Sequence, residues 1–250
     1  MKSSFFLLGR MLRLIKDFPF IYKLYRWRTE IMLAKKKIKD DNVFVNIHAK
    51  NAWNNAESIS GIGSIKAHTC ELIKKLPLLC ADYNVTTFLD APCGDFNWMQ
   101  HVVFDEQLNY VGGDIVKELV EKNSSKYAGT RYTFIHLNIL RDNLLKSDII
   151  FVRDCLVHLS YADIRLFLQN LVRSDIHYLL TTTFPYTRNN YDITTGNWRA
   201  INLQRAPFNF PQPRTTIHEK TPENKYQYYD KSVSLYKVSD LLNLDFLRSV

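Results

Sequence analysis

The densest chemistry in the chain lies in Phe88-Leu89-Asp90-Ala91-Pro92-Cys93-Gly94-Asp95-Phe96-Asn97-Trp98-Met99. An apolar run ends on an acid, and a tight turn holding one glycine opens toward a helix-compatible stretch. Turns that bind dinucleotides use three glycines so that the backbone can approach a diphosphate. Here Gly94 stands nearly alone, Pro92 stiffens the turn, and Asp90 and Asp95 flank it. Carboxylates on both sides repel a diphosphate and suit a nucleoside carrying a cationic amine and a sulfonium. Asp114, followed by Ile115, closes the next apolar run at the place where an acid roughly 20 residues on takes ribose hydroxyls. The alternative for Asp114 is to cap the following helix. Asn138 follows a third such run and can pair its amide with an adenine edge.

A second group of candidates is Arg153-Asp154-Cys155-Leu156-Val157-His158. Arg153 closes a fourth apolar run and joins the residues expected around the nucleoside. A helix starting near Asp154 would set Asp154 and His158 at i and i+4 on one face. Histidine titrates near neutrality and a carboxylate can orient it. One of the two is therefore expected as general base and the other as its orienter, against the alternative that the histidine only packs. Trp198, Arg199 and Asn202 offer an aromatic face and hydrogen-bonding groups for an acceptor. No His, Cys, Asp or Glu cluster has metal-ligand spacing, so no metal is expected.

The elements that must position these residues follow from the apolar pattern. Thr86–Ala91, Asn109–Ile115, Tyr132–Leu137, Asp148–Arg153 and Ile176–Thr182 are rich in β-branched and aromatic residues with little strict alternation. Such runs suit strands covered on both faces, as in a parallel sheet. Helix-length segments lie between them, notably Glu118–Tyr127 and Tyr161–Ser174. The second is expected to turn Ala162, Leu166 and Leu168–Gln169 to one face, with Ile164, Phe167 and Leu171 widening it. Strand–helix alternation predicts a doubly wound α/β domain. The stretch Thr187–Pro213 reads as a long connection ordered by Trp198, Phe208 and Phe210. Lys231–Val238 reads as a late strand at or near the sheet edge.

The segments around Asp90–Met99, Val111–Val116 and Asp148–Ser160 together resemble the successive motifs of class I S-adenosylmethionine-dependent methyltransferases, over about residues 50–240. That resemblance implies a Rossmann-like, mostly parallel seven-stranded sheet with S-adenosyl-L-methionine as methyl donor. It puts Asp90 and Gly94 at the methionyl part, Asp114 at the ribose and Asn138 at the adenine. Pro92 and Cys93 depart from the commoner glycine-rich turn. Trp53 and Glu57–Ser64 resemble the segment preceding the first strand in a subgroup suspected of methylating sugars of surface glycans. The glycines and hydroxyls of that segment could close over the donor carboxylate, or simply cap a helix.

Composition frames the rest. Residues 1–40 hold 11 Lys/Arg against three Asp/Glu, so the whole excess of +8 lies there. The body is neutral, which argues against a nucleic-acid partner, and the Asn-Pro-Pro-Tyr type motif of base-amino methylators is absent after the fourth strand. Arg10, Arg13 and Lys16 line one side of an apolar face of Phe5, Leu8, Leu12 and Ile15. Residues 1–45 are expected as a basic amphipathic helical arm and 46–250 as the methyltransferase domain. The arm suits either an anionic membrane surface or a protein face. No run approaches the length of a membrane span, and the four scattered cysteines suit a reducing compartment. The expected location is the cytoplasm, peripheral on the inner face of the membrane. The expected acceptor is a sugar hydroxyl in a glycan or glycolipid. An RNA methyltransferase and a non-catalytic donor-binding module are the alternatives.

Overall fold

A computed structural model describes residues 43–221 and 228–248. The expected arm lies outside the described residues up to position 42. The first described helix, α1 (Val43–Ala49), crosses the boundary expected at residue 45 and packs on the domain, with Val43 buried.

The remaining elements are α2 (Lys66–Asp82), β1 (Thr87–Asp90), β2 (Asn109–Asp114), α3 (Lys117–Lys126), β3 (Tyr132–His136) and β4 (Ser147–Val152), then α4 (Tyr161–Leu171), β5 (Ile176–Thr183), β6 (Thr215–His218) and β7 (Ser232–Lys237). They form one seven-stranded sheet in the order β3-β2-β1-β4-β5-β7-β6. The first five strands run parallel, while β7 is antiparallel to β5 and β6 to β7. Chain order reverses between β1 and β4, the topological switch point beside which ligands sit in open α/β sheets.

The lack of alternation in the strand sequences has a direct cause. On β4, Ile150 and Val152 join a core under α4, while Ile149 and Phe151 join a second core under α2. Both faces are covered, so the four positions Ile149–Val152 are all apolar. Helix α4 starts at Ser160, whose hydroxyl accepts from the Asp163 N–H at 3.1 Å, a side-chain cap for a free N–H. It buries Ile164, Phe167, Leu168 and Leu171 but leaves Leu166 exposed, so the inward face is rotated from the one expected. The late strand lies one position in from the edge. The outer place belongs to β6, a strand of only four residues that directly follows a proline-rich stretch and is masked by it in the sequence.

The connection from Phe184 to Arg214 contains no helix or strand, yet it is ordered. Ile193, Ile201, Leu203, Phe208 and Phe210 are buried along it, and the Phe184 N–H donates to the Ile201 carbonyl at 2.7 Å.

Candidate active site at the carboxyl edge of the sheet

A cavity of about 870 Å³ opens beyond the carboxyl ends of β1, β2 and β4. That is near the upper end of the roughly 300–1,000 Å³ of small-molecule sites, room for a donor and an acceptor together. Asp90, Gly94, Asp95, Asp114, Ile115, Asn138, Arg153, Asp154, His158 and Trp198 all line it. Arg199 and Asn202 do not.

The turn after β1 spends its backbone donors internally. The Cys93 N–H donates to the Gly113 carbonyl at 2.9 Å, Gly94 to Asp114 Oδ2 at 2.9 Å, and Asp95 to Ser60 Oγ at 3.0 Å. Gly94 has φ +56°, and a Cβ there would collide with Ser60. The glycine thus serves a left-handed turn and a close approach, with no N–H row left for a diphosphate. Asp95 turns its carboxylate upstream and accepts from the Ser58 and Ser60 hydroxyls and the Ile59 N–H. It ties the Glu57–Ser64 segment to the turn, a role its sequence position did not reveal.

Asp90 and Asp114 are almost completely buried. Burial pushes the Asp90 carboxyl up to about 7, against the pull of a 2.6 Å hydrogen bond from the Tyr110 hydroxyl. Burial also raises Asp114, although the Val116 and Gly94 N–H groups both donate to it at 2.9 Å. Two buried carboxyls held above their ordinary range gain from a cationic ligand. Asn138 uses its side-chain oxygen to accept from the Leu140 N–H at 3.0 Å, so its amide nitrogen is the group left for a ligand.

No α-helix begins at Asp154, which correlates with its backbone at φ +50°. The turn Leu156–His158 is a single 3-10 turn, so Asp154 and His158 are not one α-turn apart. Asp154 instead accepts from Lys231 Nζ at 2.6 Å and faces Arg153 Nη1 at 3.3 Å. Burial works to raise its carboxyl, but the Lys231 and Arg153 charges outweigh it and hold the group at about 2. A carboxylate this acidic is a poor base at neutral pH. Arg153 is itself clamped, donating to Glu219 at 2.7 Å and to the Gly63 carbonyl at 2.8 Å. Lys231 and Glu219 were missed in the sequence, where neither lies in a recognisable motif.

His158 is oriented by a carbonyl, not by Asp154. Its Nδ1 lies 2.9 Å from the Asn197 oxygen, which can only accept, so Nδ1 carries the proton. Nε2 is then the lone-pair nitrogen. Burial holds the imidazole below the usual histidine range, with the Arg199 and Lys231 charges pushing the same way, against the Asn197 bond and Asp154. The Trp53 ring packs 5.7 Å from the imidazole.

One wall of the cavity is aromatic. Trp198 packs edge-on to Tyr228 at 4.9 Å and to Phe184 at 6.0 Å, and all three line the cavity. Arg199 and Asn202, expected beside Trp198, are buried behind this wall. Asn202 donates to the Pro185 and Thr187 carbonyls and stabilises the connection itself. Alternate residues of an extended loop point opposite ways, which is why Trp198 and Arg199 part company. Among the described residues, no three His, Cys, Asp or Glu side chains are grouped to hold a metal ion, and no helix is long and apolar enough to cross a membrane.

No protein-family model and no curated protein sequence matches the chain. Solved structures do. Human N-acetylserotonin methyltransferase in complex with S-adenosylmethionine aligns over 89% of this chain and 68% of its own, with 9% identity and a TM-score of 0.58. The Burkholderia thailandensis 1,6-didemethyltoxoflavin-N1-methyltransferase, solved with its acceptor and S-adenosylhomocysteine, aligns over 78% of this chain and 84% of its own, with 14% identity and a TM-score of 0.55. The chain has the Rossmann-like fold of S-adenosylmethionine-dependent methyltransferases.

Proposed function

We propose that the protein is an S-adenosyl-L-methionine-dependent O-methyltransferase acting on a sugar hydroxyl of a glycan or glycolipid. The observation that carries the donor assignment is the chemistry of the turn after β1. Its N–H groups are consumed within the protein, and two buried carboxyls of raised pKa face the cavity. That environment favours a cation and opposes a diphosphate. Asp90 and Gly94 would hold the methionyl part, Asp114 and Ile115 the ribose, and Asn138 the adenine, with Asp95 and Arg153 fixing the walls. The donor supplies an activated methyl group on a sulfonium.

The chain's own part is to align an acceptor oxygen and take its proton. His158 is half-buried, held below the usual histidine range and hydrogen-bonded through Nδ1, the properties of a neutral general base. Asp154 is locked as an anion by Lys231 and serves as a fixed negative charge beside it. Trp198, Tyr228 and Trp53 offer apolar ring faces of the kind that pack on sugar rings. The charge excess of residues 1–40 fits a catalytic body held at the anionic inner face of the membrane.

The test is transfer of a labelled methyl group to a panel of neutral sugars and glycolipids. His158→Gln should lower the rate by about 10²–10⁴-fold while S-adenosylhomocysteine affinity stays unchanged. Failure of every hydroxylated acceptor, with donor binding intact, refutes the acceptor class. An unchanged rate in His158→Gln refutes the base.

A further inference from the structure

Among the described residues, Arg199 is the largest completely buried side chain, and it packs on the turn that carries the proposed base. Its Nη1 donates to the carbonyls of Leu156 and Val157, each at 3.1 Å. Its backbone N–H donates to the Val157 carbonyl at 3.0 Å, and the Gly196 N–H donates to the His158 carbonyl at 2.8 Å. Between them, the Asn197 carbonyl accepts from His158 Nδ1. One step further on, the Ser160 N–H donates to Thr195 Oγ1 at 2.9 Å. The turn that carries the imidazole is therefore braced along its length by residues 195–199.

A positive charge is not required for bracing. An asparagine or glutamine could donate to a carbonyl without the cost of burying an ion. Arg199 nevertheless places a whole guanidinium in the interior, and its Nε and Nη2 have no hydrogen-bond partner among the described residues. It rests on the Tyr161 ring, 5.4 Å from its centroid, and the Tyr161 hydroxyl is likewise unpartnered. Asp192 beside Tyr161 offsets part of this cost by its charge, but an interior cation with two unbonded nitrogens stays unfavourable, so its presence points to work done by the charge.

We propose that Arg199 is a positioning residue acting through His158, bracing the turn beneath the imidazole and setting a cation behind it so that Nε2 serves as the proton-accepting nitrogen. This rests on the reading of His158 as general base. The charged groups facing the ring support it. Asp154, on the same segment, is matched by Lys231 from the start of β7 and by Arg153 from the end of β4. The Asn197 carbonyl and the Trp53 ring complete the surroundings. Arg199, unlike Arg153 and Lys231, has no carboxylate bonded to it among the described residues. Its charge acts on the ring in the direction that keeps the imidazole neutral.

The test uses the full chain labelled with ¹⁵N and reads the imidazole nitrogens of His158, assigned by their loss in His158→Gln. In the unmodified protein the ring should be the Nδ1–H tautomer and titrate below the ordinary histidine range. In Arg199→Met the midpoint should rise and the two tautomers should mix. In Arg199→Lys the midpoint should stay low while the tautomers mix, because an ammonium retains the charge but not the bridge across two carbonyls. An Nε2–H ring in the unmodified protein overturns the proposal without any variant having to fold. So does Arg199→Met with an unmoved midpoint and tautomer. S-adenosylhomocysteine titrated into the same samples reads the donor pocket separately. Its failure to bind the unmodified protein would remove the methyl-transfer reading and leave the Arg199–His158 result standing.

Discussion

Asp90 gives the sharpest expectation for donor binding. Its carboxyl ends β1 with 3% of its surface exposed, and burial takes it from 3.8 to about 7. That rise corresponds to about 4 kcal/mol at about 1.4 kcal/mol per unit. A ligand ammonium placed beside Asp90 reverses the cause by supplying a counter-charge, so the carboxyl ionises on binding. At pH 7 about half of the free protein holds that proton, and binding should release about half a proton; at pH 6 the release should approach one. Affinity should then fall by about tenfold for each pH unit below 7 and level off above it. The measurement is calorimetry with S-adenosylhomocysteine in two buffers of different ionisation enthalpy, from pH 5.5 to 8. Asp90→Asn should abolish both the proton release and the slope. Heats independent of buffer at pH 6, or a slope that survives Asp90→Asn, would refute the reasoning. The same group sets a stability trend of opposite sign. Between about pH 4 and 7 only the unfolded chain has lost the proton, so folding stability from this site falls as pH rises through that window.

Two further outcomes follow from the geometry around the cavity. Gly94→Ala should cost about 1–2 kcal/mol for the left-handed backbone alone, and more because the new methyl meets Ser60; thermal unfolding checks the first and donor titration the second. Lys231→Met strips Asp154 of its closest cation and should destabilise by about 3–5 kcal/mol, with much of the loss recovered in Lys231→Met with Asp154→Asn, as read by urea unfolding.

The strands were legible because burial on both faces writes a continuous apolar run, as on β4, and because each run ends at a polar residue. The residues proposed to hold the donor could be picked out for the same reason, since Asp90 and Asp114 end their strands and Asn138 and Arg153 follow theirs within two positions. What stayed hidden depended on chain segments remote in sequence. Asp95 lines the cavity as expected, but its bonds to Ser58 and Ser60 on the upstream segment could not be read from its position. Asp154 and His158 have helical spacing, yet Lys231, 77 positions away, draws the carboxylate aside. Arg199 neighbours Trp198 in sequence, but extended backbone sends the two side chains in opposite directions. β6 has only four residues and follows three prolines within a short span, too little for periodicity to register.

Helix α1 has a consequence for how the molecule is handled and how it is controlled. Val43 lies directly over Gly196, where even a methyl group would not fit, and Phe44 and His48 help to enclose the cavity. Gly196 in turn holds the His158 carbonyl. The room in which chemistry is proposed is therefore finished by the stretch of chain that emerges from the basic segment. Trimming the protein to its apparent domain, so that Val43–Ala49 is lost, would remove a wall of that cavity.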